Sequence, residues 1–152
     1  MRTRLGYLIR VAEKCRAQGM TNALASMDLT AAQGQTLSFI AHRTEPPCAR
    51  DIEEAFQLTH PTVSGILSRL EQKEFIEMRP DPKDRRCKRI YVLPKGQELH
   101  ETMHQTIDST EEQLMQNFTE EEKEQFAAFL QRAIDNLGGN PCKRKHKEDS
   151  QT

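Results

Sequence analysis

The chain has 152 residues, of which 36% are hydrophobic, 5% aromatic and 30% charged, and it lacks tryptophan. This size and composition indicate one helix-rich domain, with or without helical extensions, and disfavour a dense β-sandwich. No apolar run approaches the length of a membrane span, and the N-terminal segment MRTRLGYLIRVAEK carries charges within its apolar pattern. We therefore expect neither a membrane contact nor a secretory signal, and a cytoplasmic location.

The charge is sorted by segment. The net charge is −1 at pH 7, yet residues 79–89 hold six bases against two acids, and residues 98–135 hold ten acids against two bases. A local basic patch is the electrostatic mark of a nucleic-acid contact, whatever the overall charge. The basic segment is therefore a candidate DNA-binding element.

The first third of the chain predicts three helices. Apolar residues recur at helical spacing, which favours a long first helix: Leu5, Leu8, Ile9, Ala12, Leu24 and Met27. Thr30 and Gln33 form a capping-box pattern at the start of a second helix, which should end near Arg43. Pro46 and Pro47 then break the chain, and a short helix is predicted over about 49–56, with Ile52, Ala55 and Phe56 facing inward.

Residues 59–73 predict a DNA recognition helix. The helix has one apolar stripe (Val63, Ile66, Leu67 and Leu70) and begins at Thr59, a favoured N-cap residue. Its other face is small, hydrogen-bonding or basic, as insertion into a major groove requires. We expect DNA contacts from His60, Pro61, Thr62, Ser64, Gly65, Ser68 and Arg69. An ordinary amphipathic helix with a polar outer face is the alternative.

A basic hairpin follows the recognition helix. Segments 75–78 and 88–92 predict two strands, and the Pro- and Asp-rich segment between them predicts a hairpin tip. Such a wing can reach an adjacent minor groove or the phosphate backbone. The candidate DNA contacts are Lys83, Arg85, Arg86 and Lys88. A solvated charged loop is the alternative.

The remaining chain predicts two further helices and a tail. One helix runs from Gly96 to about Asn117, and a second begins at the capping-box pair Thr119 and Glu122 and ends at 138–139. Their apolar stripes need a partner surface, so we expect a homodimer built from the first and last helices. The predicted parts are a DNA-binding lobe (30–93), a helical dimerisation region (1–29 and 94–139) and a disordered basic tail (140–152).

This order of parts resembles the MarR family of bacterial transcriptional regulators. The family's wing pattern D-x-R-x-x-x-V-x-L-T-x-x-G is matched by Asp84, Arg86, Ile90, Val92 and Gly96. Its Leu-Thr-x-x-Gln helix entry is matched by Leu29, Thr30 and Gln33, and its recognition-helix run by Thr62, Val63, Ser64, Leu67, Leu70 and Glu71.

The resemblance implies a mainly α-helical, winged helix-turn-helix protein with a small α+β wing and terminal dimerisation helices. It implies a homodimer that binds palindromic operator DNA, usually as a repressor. An effector in the cleft between the dimer helices and the winged lobe would modulate that binding. In the wing, Arg86 would reach the minor groove and Asp84 would orient the hairpin. Neither catalytic residues nor a cofactor are expected.

Three positions depart from the family pattern. Glu74 replaces the glycine that follows the recognition helix, Leu93 replaces the threonine that closes the wing, and Cys48 replaces the serine or threonine before the short third helix. A non-glycine residue in a left-handed conformation costs about 1 kcal/mol. These departures concern local geometry, and none lies on the expected DNA face.

Histidine and cysteine residues leave two alternatives open. His100 and His104 match the H-E-x-x-H zinc-protease pattern, but the chain is short and has no obvious third ligand, so an enzyme is not expected. A zinc-responsive regulator could use this pair, as some members of the family do, although the register of His42 argues against its joining them. Cys87, flanked by Arg86 and Lys88, and Cys15 are candidates for a redox-responsive regulator. Otherwise the thiols are free and incidental, and no metal site is assigned.

Overall fold

A computed structural model describes residues 4–139. The elements are the helices α1 (Leu5–Ala25), α2 (Ala31–Ala41), α3 (Ala49–Phe56) and α4 (His60–Gln72), the strands β1 (Ile76–Pro80) and β2 (Lys88–Val92), and the helices α5 (Pro94–Leu114) and α6 (Glu120–Asn136). The described residues form two compact units, 4–114 and 115–139. The fold class is that predicted from the sequence: mainly helical, with a small winged sheet.

One hydrophobic core joins the helices of the first unit to the wing. Its fully buried side chains come from every element between α2 and α5, and they include Leu37, Ile52, Val63, Leu70, Phe75, Ile76, Ile90 and Leu99. Because α4 contributes Val63, Leu67 and Leu70 to this core, its opposite face is directed to solvent. The apolar stripe read from the sequence thus fixes how the predicted recognition helix is oriented.

Local capping sets the beginnings of α2 and α3. Thr30 and Gln33 make the predicted reciprocal capping box at the start of α2. Cys48 is the N-cap residue of α3, where its backbone N–H donates to Oδ2 of Asp51 at 2.8 Å. The helix ends at Gln57, whose φ of 53° turns the chain in a left-handed conformation towards α4.

The wing is an antiparallel hairpin anchored at its base. β1 pairs with β2 in a register that runs from Ile76 opposite Val92 to Pro80 opposite Lys88. The N–H of Ile90 donates to the carbonyl oxygen of Pro47 at 2.9 Å, so the segment before α3 lies against β2. This bond holds the base of the wing beside the N-terminus of α3.

Lys73, which ends α4, links that helix to the loop after α1. Its Nζ donates to the carbonyl oxygen of Asp28 and, at 2.9 Å, to Oδ2 of the same residue. Asp28 itself adopts a left-handed backbone conformation, with a φ of 54°. The C-terminus of α4 is thereby tied to the end of α1.

Apolar side chains remain exposed on α1 and α6. Helix α1 packs against α5, but its N-terminal half exposes Leu5, Tyr7, Leu8, Ile9 and Val11. In the second unit, α6 begins at the predicted capping box of Thr119 and Glu122 and has no buried residue. It exposes Phe129, Ile134 and Leu137.

Several predicted boundaries are corrected by the structure. Helix α2 ends at Ala41 rather than near Arg43, β1 is shifted to Ile76–Pro80, and α5 spans Pro94–Leu114 rather than 96–117. The inward orientation predicted for Ala55 is wrong, because this residue is exposed. The predicted disordered tail, 140–152, lies outside the described residues. Within residues 4–139, no helix combines the length and the apolar character that crossing a membrane would need.

Candidate nucleic-acid interface

Helix α4 presents the predicted small polar face to solvent. All seven candidate residues of this helix are exposed: His60, Pro61, Thr62, Ser64, Gly65, Ser68 and Arg69. Its N-cap is Thr59, whose hydroxyl lies 2.9 Å from that of Thr62. Nδ1 of His60 lies 2.5 Å from Oε1 of Glu53 on α3, so this imidazole braces the two helices as well as facing outward.

Gly65 has no packing role within the protein. A Cβ atom built at this position would meet no heavy atom within 4 Å. Glycine costs about 0.5–1 kcal/mol relative to alanine in a helix interior, so its presence needs another reason. The absence of a side chain would let a ligand approach the helix backbone closely, as a recognition helix does in a major groove.

An internal ion pair sets the shape of the wing. Asp81, which is 7% exposed, accepts from Nε of Arg89 at 2.8 Å and from the backbone N–H of Lys83 at 2.9 Å. The Lys83 amide, followed by the Arg89 guanidinium, lowers the pKa of the Asp81 carboxyl. Arg89 also donates from Nη1 to the carbonyl oxygen of Pro46 at 3.1 Å. This arginine therefore ties the hairpin to the segment before α3.

A tight turn positions Arg86 at the end of the wing. The backbone N–H of Arg86 donates to Oδ1 of Asp84 at 3.0 Å, and that of Cys87 donates to the Asp84 carbonyl oxygen at 3.0 Å. Asp84 thus shapes the backbone that carries the arginine and makes no ion pair with it. This is a geometric basis for the orienting role that the family resemblance implies.

The basic residues of the wing divide into two groups. Arg79 pairs with Glu77 and Arg89 pairs with Asp81, so a carboxylate within the hairpin offsets each of these positive charges. The other four are all exposed and form no ion pair with any residue of the described part of the chain: Lys83, Arg85, Arg86 and Lys88. These are the four cations predicted from the sequence, and their charge is available to a polyanion.

Helix α4, the wing and α3 line one open cleft. It has a volume of about 890 Å³ and is lined from α4 by Ser64 and Ser68, from the wing by Arg86 and Lys88, and from α3 by Arg50. Two acidic residues, Glu53 of α3 and Asp84 of the wing, also line it. Of the twelve candidate residues, the cleft brings six together: His60, Ser64, Ser68, Asp84, Arg86 and Lys88. The other six do not line it: Pro61, Thr62, Gly65, Arg69, Lys83 and Arg85. Hydroxyl groups on a helix can hydrogen-bond base edges, and neighbouring arginine and lysine side chains can neutralise phosphates.

Three histidines cluster elsewhere in the first unit, between α2 and α5. One potential ligand nitrogen from each of His42, His100 and His104 lies within 4.8 Å of the others, and the two Nε2 atoms of His100 and His104 are 3.1 Å apart. The sequence-based expectation that His42 is out of register with the α5 pair is wrong. His42 follows the last residue of α2, and the packing of α2 on α5 brings its ring to 4.8 Å from that of His100.

The chemistry of this cluster suits a transition metal such as zinc. His100 is buried, and burial, followed by the neighbouring His104 and His42, lowers its pKa and favours the neutral imidazole that a metal needs. Its Nδ1 is buried without a hydrogen-bond partner. Nδ1 of His42 donates to the carbonyl oxygen of Ser38 at 2.7 Å, which leaves Nε2 free to ligate. Zinc–nitrogen distances of about 2.0–2.1 Å would require the most widely separated of these nitrogens to move closer together.

Comparison with known proteins identifies the family. A protein-family model, described as that of the MarR family, matches residues 27–86 of this chain. MepR of Staphylococcus aureus, a transcription regulator of the multidrug efflux pump MepA, is 33% identical with a TM-score of 0.78, over 89% of this chain and 99% of MepR.

This chain belongs to the MarR family.

Two further comparisons agree with this assignment. The MepR–DNA complex of S. aureus has a TM-score of 0.77 at 34% identity, over 87% of this chain and 98% of that chain. YybA of Bacillus subtilis, an uncharacterised HTH-type transcriptional regulator, is 24% identical over 123 residues, which are 80% of this chain and 82% of YybA. The chain is accordingly a winged-helix, DNA-binding transcriptional regulator.

Two of the three departures from the MarR pattern, Glu74 and Leu93, lie at the ends of helices. Glu74 keeps the left-handed conformation that glycine would favour, with a φ of 62°. Leu93 offers no capping oxygen, and α5 begins directly after it at Pro94, whose missing N–H is tolerated in a first turn. Gly96, which does match the pattern, is required, because a Cβ there would collide with the carbonyl oxygen of Phe75.

Proposed function

We propose that the protein binds palindromic operator DNA as a homodimer and acts as a repressor whose affinity is modulated by a small-molecule effector. In this proposal α4 reads base edges in the major groove through the seven exposed residues between His60 and Arg69. The wing, through Lys83, Arg85, Arg86 and Lys88, contacts the minor groove and phosphates, with Asp84 shaping the turn. The observation that carries the proposal is the shared cleft, where the small polar face of α4 meets Arg86 and Lys88, neither of which forms an ion pair with a described residue.

We assign DNA binding and dimer formation to the separate parts of the chain that the sequence predicts. The lobe of residues 30–93 would bind DNA, while residues 1–29 and 94–139 would form the dimer. The unburied apolar residues of α1 and α6 support this, because a second copy would remove them from water. A two-fold dimer places two recognition helices on half-sites that are about one DNA turn apart, hence the palindrome. A DNA-binding regulator of this kind works in the cytoplasm.

A smaller cavity supports the proposed effector site. It has a volume of about 400 Å³ and lies where the end of α1, the exit of α4 and helix α5 meet. Met27, Phe75 and Leu99 give it an apolar lining, and Lys73 and Lys95 add ammonium groups. Sites for small molecules are commonly of this size and composition. A molecule bound here would contact both the dimer helices and the end of α4, so it would change the position of the recognition helix.

The test is a binding titration on the DNA upstream of the protein's own gene, carried out over a series of salt concentrations. We expect specific binding with a steep salt dependence. The Arg86→Ala variant should weaken binding and reduce the slope of log K against log salt by about 1. Lys14→Ala, which removes an exposed cation of α1, is the matched control and should leave the slope unchanged. Weak binding that is equal on all sequences would contradict the proposal.

A second candidate function is regulation by zinc, which the histidine cluster favours. The cluster joins the end of α2, in the DNA-binding lobe, to α5, so a bound ion would cross-link the two parts. Titration with zinc should change operator affinity at micromolar concentrations in the wild-type protein and in His146→Ala, but not in His42→Ala or His100→Ala. Tetrahedral cobalt absorption would report the same site without DNA. If zinc alters neither signal, the cluster is structural.

A further inference from the structure

Glu53 of α3 is an acidic residue in the cleft that is proposed to receive DNA. It is not among the residues predicted from the sequence, yet its side chain, which is 23% exposed, lines the cleft together with Ser64 and Ser68 of α4. A carboxylate that faces a polyanion weakens binding, because like charges repel across an interface. Asp84, the other acid of the cleft, shapes the turn of the wing. The presence of Glu53 therefore needs a reason of its own.

The carboxylate of Glu53 is hydrogen-bonded to the imidazole of His60, the first residue of α4. Oε1 lies 2.5 Å from Nδ1, and this is the one side-chain hydrogen bond that either residue makes within residues 4–139. An ionised carboxylate can only accept hydrogen bonds, so the shared proton belongs to Nδ1. The two nitrogens lie on different sides of the ring, so Nε2 is directed away from α3. The His60 side chain is 73% exposed, which leaves Nε2 accessible from the cleft.

We propose that Glu53 holds the His60 proton on Nδ1, so that Nε2 reads a purine edge in the major groove, as an acceptor when the ring is neutral and as a donor when it is charged. His60 is then a specificity-determining residue, and Glu53, which touches no base itself, is a positioning residue. The reading of bases rests on the proposed function above, whereas the position of the proton on the ring does not.

The two forms of the ring recognise different bases. A neutral ring that carries its proton on Nδ1 has a lone pair on Nε2, which can accept from the N6 amino group of adenine. A charged ring donates from both nitrogens, and its Nε2–H can donate to O6 of guanine. Adenine and guanine present these opposite groups at the same point of the groove. The purine that His60 prefers should therefore change with pH.

The other charged groups around the ring are of types that ordinarily keep their charge between pH 6 and 8. Those that line the cleft with His60 are Arg50 and Glu53 of α3 and Asp84, Arg86 and Lys88 of the wing. The thiols of Cys48 and Cys87 line it as well, whereas Cys15 lies exposed on α1. Histidine is the side chain whose charge ordinarily changes in this range. A purine preference that changes with pH, and that is lost with His60, would thus report on this ring.

The position of the proton is tested without DNA, by ¹⁵N NMR of the full chain with labelled histidine. The His60 signals are those that disappear in His60→Gln. In the neutral ring of the wild type we expect a protonated Nδ1 and an unprotonated Nε2. Glu53→Gln, which keeps the length of the side chain but can donate as well as accept, should give a mixture of the two tautomers.

Glu54→Gln is the matched control for the NMR experiment. It removes a charge from the adjacent position, where Glu54 pairs with Arg50 at 3.1 Å instead of with the recognition helix. The spectrum of His60 in this variant should resemble that of the wild type. A wild-type ring protonated mainly on Nε2, or an unchanged tautomer in Glu53→Gln, would overturn the role of Glu53.

Base reading is tested by titrating the full chain, between pH 6 and 8, with operators that carry guanine or adenine at each purine position of a half-site. At one position we expect the ratio of affinities for guanine and adenine to rise at least about 5-fold as the pH falls, the lower end of the cost of a mismatched base pair. His60→Gln should abolish this change. Glu53→Gln should reduce it, because its neutral ring can also donate from Nε2, and Glu54→Gln should leave it intact.

The possible outcomes separate this proposal from the proposed function. A pH effect that is equal on all operators would show that His60 meets a phosphate rather than a base, and would overturn base reading. A purine preference that changes in Glu53→Gln as it does in the wild type would overturn the positioning role of Glu53. Failure of the wild type to bind any operator specifically would overturn the proposed function and base reading with it, while the NMR result would still decide where the proton lies.

Discussion

Glu74 holds a left-handed backbone conformation just after α4. Its φ is 62°, a left-handed conformation that is disfavoured for L-amino acids with a side chain. We expect Glu74→Gly to raise the free energy of unfolding by about 1 kcal/mol, partly offset by the greater freedom of glycine in the unfolded chain. Urea denaturation measures the change. Glu74→Ala removes the same charge but keeps a Cβ, so it should give no such gain.

Substitution of Gly65 should affect stability and DNA binding in opposite directions. Because a Cβ there meets nothing inside the protein, Gly65→Ala should stabilise the helix by about 0.5–1 kcal/mol. The same methyl group would stand between the backbone of α4 and a base pair, and we expect it to weaken operator binding by about 1–3 kcal/mol. Thermal unfolding and a DNA titration on one sample would show the opposite signs. Unchanged affinity would mean that the helix backbone does not approach the DNA at this position.

At the scale of elements, the wing depends on the Asp81–Arg89 pair for its position. Asp81→Asn keeps an acceptor for the Lys83 amide but removes the charge that Arg89 faces, so we expect a looser hairpin and weaker DNA binding. The salt slope should change little, because the cations proposed to contact phosphates remain. Circular dichroism and a salt series distinguish this result from a general loss of folding.

The same pair predicts a pH dependence. Since the pKa of Asp81 is lowered below its usual 3.8, its contribution to stability is fully present at neutral pH and is lost as the pH falls below 3.8. Thermal midpoints of the wild type and Asp81→Asn should therefore differ at pH 7 and converge in strong acid. A constant difference at all pH values would show that the carboxylate charge has no part in the stability of the wing.

What the sequence revealed at this scale was local. The Thr30–Gln33 box, the bounds of α3 and the apolar stripe of α4 depend on residues within a few positions of each other, so periodicity and capping rules predict them. The contact of His42 with His100 depends on how α2 packs on α5, and the pairing of Arg89 depends on strand register. Sequence spacing carries neither kind of information. The sequence analysis therefore placed His42 out of register and did not distinguish Arg89 from the other basic residues of the wing.

At the scale of the molecule, dimer formation is the main prediction. Leu8 is 48% exposed in a group of apolar side chains on α1, and we expect a second copy to cover it. Leu8→Glu would place a charge in that interface and should give monomers by analytical ultracentrifugation. Loss of the second half-site should reduce operator affinity by about 100-fold or more. Leu8→Met is the conservative control, and a Leu8→Glu protein that stays dimeric would locate the interface elsewhere.

The link between Lys73 and Asp28 bears on the spacing of the two half-sites in an operator. Because this lysine fastens the exit of α4 to the end of α1, the separation of the two recognition helices in a dimer would follow from how the α1 helices are held. One base pair inserted between half-sites moves them by about a tenth of a helical turn. A dimer fastened in this way would tolerate that insertion poorly, whereas Lys73→Met would relax the requirement and accept operators of unequal spacing.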